Sequence, residues 1–160
     1  MCGIFGIKTL SSSYQIDKPK VAASAKLMSH RGPDAYGQWG IANKIELAHV
    51  RLSIIDLSNQ SNQPFFSNCR KYVVVFNGEI FNYIEIRKEL ESLGHRFRTT
   101  SDTEVLLNSY IEWCDKCVSK FNGDWAFAIY NFNEETLFCS RDRFGVKPFN
   151  YAVTNKEFVF

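Results

Sequence analysis

The run Tyr72-Val73-Val74-Val75-Phe76 leads straight into Asn77-Gly78. Unbroken β-branched and aromatic side chains favour a pleated strand, and any fold of this chain must cover such a strand with other elements. The Asn-Gly pair behind it predicts a sharp turn. Aromatics make up 15% of the chain, with fourteen Phe among them, which again favours strands packed beneath other layers.

The remaining pattern fits around that strand. CGIFGI reads as a short buried strand, and DKPKVAASAKLMSH as a helix with Val21, Ala25 and Met28 on one stripe. His30-Arg31-Gly32-Pro33-Asp34 interrupts it as a loop, because Gly-Pro is strong loop punctuation. Residues 38–55 read as two strands about a turn at Ala42-Asn43-Lys44, and DLSNQSNQPF as a polar loop. FNYIEIRKELESLG is helical, with Ile84, Arg87 and Leu90-Glu91 in register and Gly94 as the stop. Ser101 and Glu104 form a capping box for a helix reaching about Cys114. DWAFAIYNF and TLFCSRD alternate as paired strands around Asn133-Glu134-Glu135, while RFGVKPFNYAV and EFVF add more strand. Strands early and late with two helices between them predict α+β layers rather than βαβ alternation.

At 160 residues the chain fits one domain, without repeats, low-complexity segments or a linker. A net charge of +2 with no Lys/Arg block does not call for nucleic acid as a partner. No apolar run approaches the roughly 20 residues of a membrane span. The N-terminus does not have the pattern of a signal peptide, so the cytoplasm is the expected compartment. In that setting the five cysteines, at 2, 69, 114, 117 and 139, are expected as free thiols.

Several residues could carry chemistry. Cys2 is either a small apolar residue or, once Met1 is removed, a thiol and a free α-amine on one residue. Such an amine ordinarily titrates at about 7.7–8.0, which leaves part of it neutral and able to take the thiol proton. Asn77 and Gly78 are either a turn or an oxyanion hole made of a side-chain amide and a backbone N–H. Glu79 beside them could hold an ammonium. Arg51 sits in an apolar strand pattern, where a guanidinium either snorkels to an edge or captures a carboxylate through two donors. Asp102 either belongs to the helix start or points its carboxylate at a ligand amine. Cys114-Asp115-Lys116-Cys117 looks like a redox pair but follows a helix instead of opening one, which argues against that use. His30, His49 and His95 are scattered, and no metal-ligand spacing appears.

Taken in order, MCGIFG, RGPDAYG, HVRLSIID, FNGEIFN, SDTEV, NGDWAFAIY and RDRFGVKP resemble the class II glutamine amidotransferase domain over essentially the whole chain. The RGPD loop and the His-x-Arg-Leu-Ser-Ile form are most similar to the N-terminal glutaminase half of glutamine-hydrolysing asparagine synthetases. Asp124-Trp125, Asn131 and Phe149-Asn150 depart from the commonest pattern, and none carries an assigned role.

The resemblance implies an N-terminal-nucleophile hydrolase fold, a four-layer sandwich with two antiparallel sheets between helical layers. It implies Cys2 as nucleophile with its α-amine as base, and Asn77 and Gly78 as the oxyanion hole. It further implies Arg51 for the α-carboxylate of L-glutamine, and Glu79 and Asp102 for its α-ammonium. The expected reaction is hydrolysis of glutamine to glutamate and ammonia through a γ-glutamyl thioester, with no cofactor or metal in this chain. Residues 1–160 would then be a glutaminase domain, truncated at its C-terminus. ATP and Mg2+ would serve a C-terminal synthetase domain that makes asparagine from aspartate; no Ser-Gly-Gly-type pyrophosphate loop appears in this chain. Another carboxylate acceptor stays open, as does a non-catalytic glutamine-binding module if Met1 is retained. A homodimer is compatible with the sequence.

Overall fold

The computed structural model describes residues 1–11 and 14–160. The chain runs β1 (Gly3–Thr9), α1 (Lys18–Lys26), β2 (Ala35–Ile41), β3 (Ile45–Arg51), β4 (Phe65–Phe66), β5 (Tyr72–Ile80), α2 (Tyr83–Ser92) and α3 (Asp102–Trp113). A 3-10 turn follows at Cys114–Ser119, then β6 (Gly123–Asn131), β7 (Thr136–Arg141), β8 (Ala152–Val153) and β9 (Glu157–Val159). One sheet has the order β2-β3-β1-β9-β8 and the other β4-β5-β6-β7, with antiparallel pairing between these neighbours.

Side-chain alternation explains the layers. Val73 and Val75 of β5 meet Ile45 and Leu47 of β3 and Ala128 and Tyr130 of β6 in a core between the sheets. The alternate β5 residues Val74, Phe76 and Ile80 face the other way, against Ile86 and Leu90 of α2 and Val105, Leu106 and Leu107 of α3. On the far side α1 covers the first sheet, where Val21 and Ala25 pack on Ala48. The result is the expected α+β sandwich of helix, sheet, sheet and helices.

The helices begin where the sequence provides caps. Asp17 accepts from Lys20 N at the start of α1, with Pro19 in the first turn. Ser101 accepts from Glu104 N at the start of α3. Glu104 does not reach back to Ser101. It is buried and takes the N–H groups of Arg98 and Thr99, pinning the approach segment to the helix.

Besides the half-formed capping box, three readings from sequence are corrected. Asn77-Gly78 is not a turn: β5 continues through both, opposite Ala126 and Trp125 of β6. Gly78 is required there for close approach, since a Cβ would lie 2.2 Å from Asp124 O and 2.8 Å from Trp125 Cα. The expected strand over 143–153 is confined to Ala152–Val153. The cause is Asp142, whose carboxylate accepts the N–H groups of Phe144, Val146 and Lys147 and curls the chain into a loop. Helix α2 turns Ile86 and Leu90 inward and leaves Ile84 half exposed, so its apolar stripe differs from the one the spacing suggested.

The five cysteines are free thiols. Cys117 is buried and its thiol is pushed up to about 12 by burial, which makes it a poor redox partner for Cys114. Among the described residues no helix is long and apolar enough to cross a membrane, and no group of three or more His, Cys, Asp or Glu could hold a metal ion.

Candidate active site

The alternation that buries Ile45 and Leu47 also turns His49 and Arg51 of β3 into the space between the sheets. On β5 the inward row Val73 and Val75 continues to Asn77, and on β1 the inward Ile4 is preceded by Cys2. The sequence-predicted residues therefore meet at one end of the sandwich. Cys2, Arg51, Asn77, Gly78, Glu79 and Asp102 all line a single cleft, shared with Gln63 and Lys147 among others.

Cys2 is half-buried. Leu52 N–H donates to its Sγ at 3.4 Å. Burial pushes the Cys2 thiol up, outweighing the downward pull of that N–H, the terminal amino group and Arg51. A protonated thiol is a weak nucleophile, so this sulfur needs a base.

Gly78 N–H is placed by sheet arithmetic. Tyr72 bonds toward the β4 side, accepting from Ser67 N, so alternate residues 74, 76, 78 and 80 present their backbone groups to that edge. Strand β4 pairs only with Val73 and Val74, and the edge beyond it is open. Phe76 N–H there goes to Gln63 Oε1 at 2.6 Å, and Ile80 N–H to Asp102 Oδ2 at 3.1 Å. Between these two capped donors Gly78 N–H faces the cleft. Asn77 beside it is 3% exposed, and its Oδ1 is buried without a partner. An unsatisfied buried acceptor costs about 1–3 kcal/mol and calls for a donor such as a ligand N–H, whereas a negatively charged oxygen calls on the Nδ2 of the same amide.

The Arg51 guanidinium is buried among neutral acceptors. Nη1 donates to Ser58 O at 2.8 Å and Asn62 Oδ1 at 2.7 Å, and Nη2 donates to Asp56 O. Three of its five donors are used, and two remain for an anion. Among the described residues it forms no ion pair, and neither do Glu79 and Asp102. Arg51, Glu79 and Asp102 thus bring a cation and two carboxylates without ion-pair partners into the cleft from three different elements. Asp56 positions its neighbours: burial pushes its carboxyl up, but donors from Ser58, Thr100 and Ser61 hold it well below the usual range.

Burial lifts the Asp102 carboxyl to about 6, with the nearby Glu79 charge adding to the rise against the N–H groups of Ile80 and Thr103. An acid raised in the folded state contributes stability below its unfolded pKa, which is lost as pH rises through about 6. The loss is about 3 kcal/mol. His49, fully buried, moves the other way: burial lowers it to about 4. Its contribution is present above pH 6.5 and lost toward pH 4, again by about 3 kcal/mol. The two offset each other over the same window. Asp102→Asn should therefore stabilise the protein at pH 7 and make it acid-sensitive, losing about 3 kcal/mol between pH 6.5 and 4. Thermal melts at pH 7 and pH 4.5 check this; parallel shifts in wild type and variant would contradict it.

Several residues of the site were read from sequence only as loop or motif. Arg31 Nε donates to Cys2 O at 3.0 Å and fixes the chain at the nucleophile position. Gly32 lies against β3, where a Cβ would come within 2.4 Å of Val50 C. Asp34 accepts Ser53 N–H at 2.7 Å and holds the segment after Arg51. Lys147 and Arg31 both approach Met1 Sδ, at 3.8 and 4.0 Å. The advance signals for this set were the RGPD string, and RDRFGVKP for Lys147.

The family model described as "Glutamine amidotransferase domain" matches residues 1–160. Asparagine synthetases [glutamine-hydrolyzing] 3 and 1 of Bacillus subtilis are 40% and 39% identical over all of this chain, which spans 26% and 25% of their lengths. Amidase chry2 of Gibberella zeae is 37% identical over 84% of the chain, which covers 20% of that protein. Among solved structures, glutamine phosphoribosylpyrophosphate amidotransferase from B. subtilis superposes with a TM-score of 0.80 at 20% identity. That match covers 99% of this chain and 41% of the other, and it shows a shared fold.

Proposed function

The chain belongs to the glutamine amidotransferase domain family, and on that footing we propose that it hydrolyses L-glutamine to glutamate and ammonia with Cys2 as nucleophile. The observation that carries this reading is the set of unpaired charges around Cys2. Arg51 offers two free donors to an α-carboxylate, and Asp102 and Glu79 offer two carboxylates to an α-ammonium. A free amino acid supplies both partners at once, with its side chain directed at the sulfur.

Removal of Met1 frees the Cys2 α-amine, which takes the thiol proton. Sγ attacks the glutamine side-chain carbonyl carbon, and the oxygen gains negative charge facing Asn77 and Gly78 N–H. The C–N bond breaks, the amine's proton leaves with the nitrogen, and ammonia departs from a γ-glutamyl thioester. Water, deprotonated by the same amine, then cleaves the thioester to glutamate and the free thiol. No step calls on a metal.

The chain spans about a quarter of the length of the Bacillus relatives. We read it as the ammonia-producing part of a longer amidotransferase, with asparagine synthesis from aspartate and Mg-ATP as the favoured outcome in a further domain. The likeness to an amidase keeps another acceptor as the alternative. Five free thiols suit a reducing compartment such as the cytoplasm.

The test is ammonia and glutamate release from glutamine without ATP, using protein whose N-terminus is shown by intact mass to be Cys2. Equimolar products support the reading. Trimmed, folded protein that binds glutamine without turnover would make it a binding module.

A further inference from the structure

His49 and Gln63 are buried polar residues that the reaction above does not use. They converge on one peptide unit. Gln63 Oε1 accepts Phe76 N–H at 2.6 Å, and His49 Nε2 donates to Phe76 O at 3.1 Å from the opposite sheet. Both backbone groups of Phe76 face the edge that β4 leaves open after Val74, so two side chains stand where a strand would otherwise bond.

We infer that Gln63 and His49 are positioning residues that clamp Phe76 and thereby aim Asn77 and Gly78 N–H at the oxyanion. The inference rests on the glutaminase reading. Its logic is that an open sheet edge is mobile, whereas oxyanion donors must hold their aim to a fraction of an ångström. Filling the edge with a strand would cover Gly78 N–H. Two side chains secure the residue before it and leave that donor free. His49 suits the task because burial keeps its ring neutral, with the proton on Nε2 and an unpartnered Nδ1 lone pair. Gln63 is itself fixed through Nε2 to Thr103 Oγ1 at 3.4 Å, in the first turn of α3 next to Asp102. The clamp therefore also ties the oxyanion donors to the element carrying a substrate carboxylate.

Steady-state glutamine hydrolysis by the trimmed chain tests this with paired variants. Gln63→Met keeps length but loses the acceptor, and Gln63→Glu keeps the acceptor. His49→Phe keeps a ring but loses the donor, and His49→Gln keeps a donor. Each loss variant should lower kcat about 10- to 100-fold with KM within about threefold, and each conservative partner should recover most of kcat. The γ-aldehyde analogue of glutamine, whose adduct with Cys2 carries an oxyanion, should bind the loss variants correspondingly more weakly. If His49→Phe does not fold, the Gln63 pair decides. Wild-type kcat in folded Gln63→Met, or failure of Gln63→Glu to restore it, overturns the clamp and leaves the glutaminase reading intact. Wild-type protein inert toward glutamine overturns both.

Discussion

Cys2→Ala is expected to cut glutamate release from glutamine by at least about 10⁴-fold, because no other group in the cleft can form the thioester. The fold should survive. The side chain is half-buried, and its loss leaves Leu52 N–H without its sulfur acceptor and Leu52 O without the thiol donor, a cost of about 1 kcal/mol for each such weak bond. Glutamine binding should persist as well, since Arg51, Glu79 and Asp102 are untouched. The variant thus separates chemistry from recognition: isothermal titration should show binding where the activity assay shows none. Residual turnover near the wild-type rate would remove Cys2 from the mechanism. Loss of binding together with turnover would mean that the sulfur holds the cleft open instead of reacting.

Arg51→Lys is the second large effect, and it acts on recognition. A lysine retains the charge but has three donors at one point, whereas the guanidinium satisfies Ser58 O, Asp56 O and Asn62 Oδ1 and still keeps two donors free. The ammonium will be consumed by these local acceptors. Losing the charge-assisted pair with an α-carboxylate costs about 2–5 kcal/mol, equivalent to a KM rise of roughly 30- to 5000-fold. Arg51→Met should be worse in a different way. It orphans three oxygens at about 1–3 kcal/mol each, so its melting temperature should fall steeply while that of Arg51→Lys falls less. Unchanged KM in Arg51→Lys would show that the carboxylate is held elsewhere.

The candidate residues were readable because each carries a local oddity: a cysteine behind the initiator, a guanidinium in an apolar strand, a carboxylate after Asn-Gly. Period-two alternation then suffices to turn Cys2, Arg51 and Asn77 to one side. What could not be read is whatever depends on which strand ends where. Asn77-Gly78 has the composition of a turn, yet pairing with β6 across Ala126 and Trp125 keeps it extended. The exposure of Gly78 N–H follows from β4 pairing with only two residues of β5, and no local pattern encodes that. Gln63 looked like part of a polar loop, and its role exists only because Phe76 lost a strand neighbour. Arg31 reaches Cys2 across 29 positions, a contact that spacing cannot reveal. The loop after β7 resembled a strand because Phe144, Val146 and Tyr151 are apolar. Asp142 overrides that pattern with three backbone hydrogen bonds.

The central claim is a covalent bond between a trimmed Cys2 and the γ-carbonyl of glutamine. Acid-quenched protein, sampled by mass spectrometry during turnover, should show the mass of one γ-glutamyl group on the N-terminal peptide, absent from Cys2→Ala and from protein retaining Met1. Rapid glutamate release with that peptide always unmodified, or equal turnover by protein that keeps Met1, would contradict the account.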